Sequence, residues 1–211
     1  MIHDALFPSR DDADKLLLWA HSLNPGSWAE HSRVVARAAV AIAEYSGLDV
    51  DRAYVSGILH DIGRYEGVRG LHHVYAGYAL MMNKRYDAIA EICLSHSFLY
   101  QDLRAFGGGD WDCTAEELET IDAFLSTTIY NDYDRLIQLC DALGTPQGVC
   151  LMEKRLMDVA RRHGFNDYTL QKWGSFFSLK DYFDAKCGRN IYSLFSDEIC
   201  ESVFGFSPPS P

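Results

Sequence analysis

Apolar residues in this chain recur at intervals of three and four, and alternation with period two never lasts, so the sequence predicts helices packed on helices. Ser27 to Ser46 carries Val34, Val35, Ala38, Ala39 and Ile42 on one face, with Gly47 as a stop. Asp51 is placed to cap a second helix whose Val55, Ile58 and Leu59 lead into His60 and Asp61, and Gly63 ends it. Two further helices run from His73 to Met82 and from Tyr86 to His96. The stretch Leu103 to Cys113, with Gly107, Gly108 and Gly109, reads as a long loop and a candidate mobile cover. From Thr114, which forms a capping box with Glu117, almost everything scans as helix. The expected fold is all-α, a helical bundle around a central polar site.

At 211 residues, 48% of them hydrophobic, the chain suffices for one domain: a core of about 27–145 and a C-terminal helical extension of about 146–205. Only the tail FGFSPPSP reads as frayed. No apolar stretch is long enough to span a bilayer, and the N-terminus lacks a basic start followed by an apolar run. The six cysteines include no C-x-x-C pair and sit mostly in apolar helical patterns, as buried reduced thiols of a cytoplasmic protein would. A net charge of −11 without a compensating basic run makes long nucleic acid a poor partner. A small phosphorylated molecule remains compatible, because a bound cation can invert the local field.

Imidazoles and carboxylates converging from separate helices suit divalent transition ions. Here the candidates come in a fixed order: His31, then LHDIGR (Leu59 to Arg64), HVYAG (His73 to Gly77), LSH (Leu94 to His96) and LIQLCDALG (Leu136 to Gly144). That order, spread over residues 27 to 145, resembles the HD superfamily of metal-dependent phosphohydrolases. The resemblance implies that His31, His60, Asp61 and Asp141 hold a catalytic metal. It also implies that His73 and His96 add a second metal, with Asp61 bridging and Arg64 as the basic residue that follows the HD turn.

Each residue also has a plainer reading. His31 could be a partly exposed helix residue, His96 a core histidine bonded to a carbonyl, and Arg64 a residue favoured by a helix dipole. Asp141 could lie on the polar side of its helix; Asp132 and Asp134 compete for its role, although Asp132 fits an N-cap better. His72 is expected to face solvent or to support the site from behind, and His3, His21 and His163 to be surface histidines. The Met81, Met82 pair and the stripe Trp173, Phe176, Phe177, Tyr182, Phe183 are expected in the core.

The activity this implies is hydrolysis of a nucleotide or related phosphoester by metal-activated hydroxide, with two ions from among Fe, Mn, Co, Ni and Zn. Asp61 and Arg64 would be the catalytic pair, Arg64 countering charge on the phosphate. The order of ligands is similar to that of the small dinuclear diadenosine tetraphosphate hydrolases. An HD-GYP phosphodiesterase fits less well, because no GYP triplet follows. The rival chemistry is that of the di-iron HD oxygenases, which act on a small polyol or phosphonate through the same six ligands. A metal-stabilised module without turnover is the third option.

Overall fold

The computed structural model describes residues 7–107 and 109–205. Its helices, in chain order, are α1 (Arg10–Leu23), α2 (Trp28–Ser46), α3 (Val50–Leu59), α4 (His72–Asn83), α5 (Asp87–Ser95), α6 (Ala115–Thr127), α7 (Asp132–Leu143), α8 (Met152–His163), α9 (Thr169–Cys187) and α10 (Ser196–Phe204). The fold is mostly helical, as expected. A two-stranded antiparallel hairpin, β1 (Gly144–Thr145) and β2 (Gly148–Val149), turns the chain just after Asp141. The Thr145-Pro146-Gln147 stretch is therefore the tip of that hairpin.

Local chemistry explains most boundaries and corrects several. Gly47, at φ 75°, ends α2 in the left-handed region that glycine adopts without cost. Asp49 rather than Asp51 caps α3, because its side chain reaches the amides of Asp51 and Arg52. Helix α3 ends at the HD pair, and a 3-10 turn over Ile62–Glu66 carries the chain through Gly63, which lies inside that turn. The capping box of Thr114 and Glu117 opens α6 as expected. Asn131, not Asp132, is the N-cap of α7, in a second capping box with Asp134. Asp132 instead accepts hydrogen bonds from Lys186 and from the Tyr182 hydroxyl of α9. The segment from Ile191 to Glu198 is split into a 3-10 turn and α10.

The core has three parts. Val35, Ala39 and Ile42 of α2, Leu136, Leu139 and Leu143 of α7, and Leu179 and Phe183 of α9 form the first. Leu17 of α1, Val55, Ile58 and Leu59 of α3 and Met81 of α4 form the second. Leu71, Leu94, Phe98, Ile121 and Leu125 form the third, under α6. Helix α2 is buried on nearly every side and touches both larger clusters, so it is the axle of the bundle. At its contact with α3, a Cβ on Gly57 would stand 2.5 Å from the Ala36 Cα, so only glycine admits this approach.

Met81 is buried but Met82 is exposed. Phe176 and Phe183 are core, whereas Phe177 and Tyr182 stand on the surface. All six cysteines are free thiols; Cys113 is half-buried, Cys200 exposed and the other four buried. The Leu103 to Cys113 loop contains a short 3-10 turn over Leu103–Ala105, while Gly108, His3 and the tail beyond Gly205 lie outside the described residues. Among the described residues no helix is long and apolar enough to cross a membrane.

Candidate metal centre

The HD pair sits where α3 runs out, so its two side chains leave the helix in different directions and meet two different sets of partners. His60, with His31 of α2 and Asp141 of α7, forms one group of possible ligands; Asp61, with His73 of α4 and His96 at the end of α5, forms another. Within each group one ligand atom per residue lies within 4.8 Å of the others. The His60 and His96 rings, 5.1 Å apart, join the two groups. All six residues singled out in the sequence are thus brought to one place, and all but Asp141 are buried.

Each imidazole of the inner three is oriented by its own backbone. His60 Nδ1 meets the Gly57 carbonyl at 2.8 Å, His96 Nδ1 meets the Cys93 carbonyl at 2.8 Å, and His73 Nδ1 meets the Gly70 carbonyl. A carbonyl only accepts, so Nδ1 carries the proton and Nε2 of a neutral ring presents a lone pair to the centre. Burial pushes His60 down to about 4, and burial with the Arg64 charge lowers His73, which keeps both rings neutral at physiological pH.

The carboxylates stay charged. Burial opposes ionisation of Asp61, yet Arg64, His73 and His96 hold its carboxyl well below the usual carboxylate range. Arg64 Nε donates to Asp61 Oδ2 at 2.6 Å, while Oδ1 lies 3.2 Å from His73 Nε2 and 3.6 Å from His96 Nε2. Asp141 is likewise lowered, burial being outweighed by His31, whose Nε2 lies 2.9 Å from Oδ1.

Two polar atoms of the cluster test the fit to a metal: His60 Nε2 and Asp61 Oδ1 are buried without a hydrogen-bond partner, while His31 turns its Nε2 to Asp141. Buried lone pairs left unpaired cost about 1–3 kcal/mol each, so a cluster of them calls for a cation. A further set of possible ligands, His72, Cys113 and Glu117, behaves differently. His72 is not solvent-facing: it is half-buried, with Nε2 2.8 Å from Glu66 and Nδ1 3.3 Å from Glu117. Its nitrogens are satisfied, and it joins the 3-10 turn to α6 as a structural bridge.

This chemistry matches a known family over most of its length. The HD domain matches residues 28–145, from the start of α2 to the hairpin. The chain belongs to the HD domain family. As an HD protein it is a member of a family of metal-dependent phosphohydrolases, enzymes that typically bind divalent metals through such His and Asp groups. No curated protein and no solved structure matches it.

The HD centre opens into a cavity of about 890 Å³. Arg64, Asp61, His73, His96, His31 and Asp141 line its floor; α8, α9 and the loop between them contribute the rest of its wall, with Arg155, Arg162, Lys172 and Trp173. His163, exposed as expected of a surface histidine, also lines it. Trp173 therefore serves both the core and the cavity. These wall residues carry no motif; only the basic run of α8, Lys154 to His163, set against a chain of charge −11, could have drawn attention to them.

Proposed function

We propose that the protein is a metal-dependent hydrolase of a small phosphorylated substrate, a nucleotide or related phosphoester, with His31, His60, Asp61, His73, His96 and Asp141 holding two divalent ions. The observation that carries this reading is the pair of buried unpartnered atoms, His60 Nε2 and Asp61 Oδ1, among four imidazoles and two charged carboxylates. Divalent ions held there supply Lewis acidity and bring the pKa of a coordinated water toward 7. The imidazole and carboxylate donors suit Fe, Mn, Co, Ni or Zn rather than Ca.

The chain's own groups do the rest. Asp61 belongs to the centre through Oδ1 and to Arg64 through Oδ2, so it couples the ligand cluster to a guanidinium on the cavity floor. Arg64, always charged and aimed from one side, counters charge that builds on phosphoryl oxygens. The aromatic side chains of Trp28, Phe106, Phe165 and Trp173 on the cavity support an organic moiety such as a nucleobase. We read the C-terminal helices as part of the same domain, because α9 packs on α2 and α7 in one shared core. The free cysteines support a reducing, cytoplasmic setting.

The test combines elemental analysis with turnover. Protein purified without chelator should hold about two metals per chain, falling to about one in His73→Ala and His96→Ala, and should release phosphate from a panel of nucleotides. Substrate-dependent oxygen uptake without phosphate release, or no bound metal, would overturn it.

A further inference from the structure

Lys172 stands on α9, outside the region matched by the HD domain, and lines the same cavity as Arg64 and Asp141. It is half-buried, and among the described residues no hydrogen bond or ion pair engages its ammonium. Burial lowers its pKa, and the one charge that counteracts this is the carboxylate of Asp141. Asp141 is already committed to His31, at 2.9 Å. A partly desolvated lysine without a partner is costly, and an anion entering the cavity removes that cost.

The surroundings repeat the sign. Arg155 and Arg162 of α8 line the same wall, held by Asp158 at 3.4 and 3.0 Å. Two of the wall's three cations therefore share the one carboxylate of Asp158 and Lys172 has none of its own, on a wall belonging to a strongly acidic protein. Asp110 faces this wall from the glycine-bearing loop, so the positive region is confined to the α8 and α9 side. The floor already has its own positive group in Arg64, so the wall cations are surplus to a single phosphoryl group.

The geometry points to a second anion subsite, in which Lys172, backed by Arg155 and Arg162, binds a phosphate adjoining the one presented to the HD centre. The substrate then carries at least two linked phosphates, and α8 and α9 select it. This inference rests on the phosphoester reading and narrows its substrate class.

Calorimetric titration of metal-loaded, dialysed protein with inorganic tripolyphosphate and with inorganic phosphate tests it. Wild type should bind tripolyphosphate at least about tenfold more tightly than phosphate, and Lys172→Met should erase most of that preference. Arg161→Met removes the same charge from the exposed side of α8, away from the cavity, and should leave the preference intact. Metal withdrawal by the ligand is common to all three proteins, whose metal ligands are unaltered, and cancels in the comparison. Equal binding of the two anions, an unchanged preference in Lys172→Met, or loss of metal from that variant would overturn the subsite. A Lys172-dependent preference in a protein that hydrolyses no phosphoester would sink the hydrolase reading and keep the subsite; hydrolysis without the preference would do the reverse.

Discussion

Arg64 reaches back three residues to Asp61, its Nε donating to Oδ2 at 2.6 Å, so the aspartate of the HD pair is held between a guanidinium and the imidazoles of His73 and His96. Removing the guanidinium leaves the metal-facing donors in place but strips a positive charge from the cavity floor. Arg64→Ala should retain its metal while kcat/KM falls about a hundredfold. Metal analysis alongside kinetics checks this; a variant that loses metal and activity together would make Arg64 a support of Asp61 alone.

Gly63 lies against α4. A Cβ there would overlap the His73 carbonyl and the Gly77 amide, both backbone atoms that no rotamer change can move. Gly63→Ala should therefore push α4 away from the HD turn, cost about 2 kcal/mol in urea unfolding, and release the metal that His73 helps to hold. Full metal content in a stably folded Gly63→Ala protein would contradict the coupling of these two segments.

Asp134 is buried under α5, accepting from the Ser95 hydroxyl at 2.7 Å and from the Asn131 amide at 2.9 Å. Asp134→Ala should destabilise the fold by about 2 kcal/mol, because both donors lose their acceptor. Burial pushes this carboxyl up, so its charge contributes little, and Asp134→Asn, which keeps an acceptor, should lose less. Thermal unfolding of the two variants gives the comparison.

Asp132 ties α7 to α9. Burial favours its protonated form, but hydrogen bonds from Lys186 and Tyr182 outweigh burial and hold the carboxyl below its usual 3.8. A lowered carboxyl binds fewer protons folded than unfolded, so its stabilisation is complete above about pH 5 and is lost as pH falls through the folded value. Lys186→Met should cost about 1 kcal/mol at neutral pH, given that both side chains are partly exposed. The difference from wild type should vanish in strong acid; an equal gap at pH 7 and in acid would show packing by the lysine stem instead.

The six candidate ligands were legible because each lies at a helix end or start whose apolar pattern is strong, and because their order is distinctive. Helix α1 escaped notice: RDDADKLLLWAHSL places Leu16, Leu17, Leu18 and Trp19 in one run, of which Leu17 is buried while Leu18 and Trp19 are exposed. The caps were misassigned by one or two positions, Asp51 for Asp49 and Asp132 for Asn131, because neighbouring Asp and Asn residues offer the same chemistry and only backbone direction decides. Lys172, Arg155 and His163 could not be placed from the sequence, since the cavity wall is created by the docking of α8 and α9 rather than by any local pattern.

His60, His73 and His96 each take their orientation from a carbonyl three residues earlier, so the aim of every ring is set inside a four-residue segment of its own. The helices that shape the cavity wall lie far along the chain and contribute nothing to that aim. On the proposed reading, cavity-facing substitutions in α8 and α9, such as at Lys172, would retune which molecule is held without altering the aim of these three rings, a separation that would let one chemistry be reassigned to new metabolites by changing a single part of the chain.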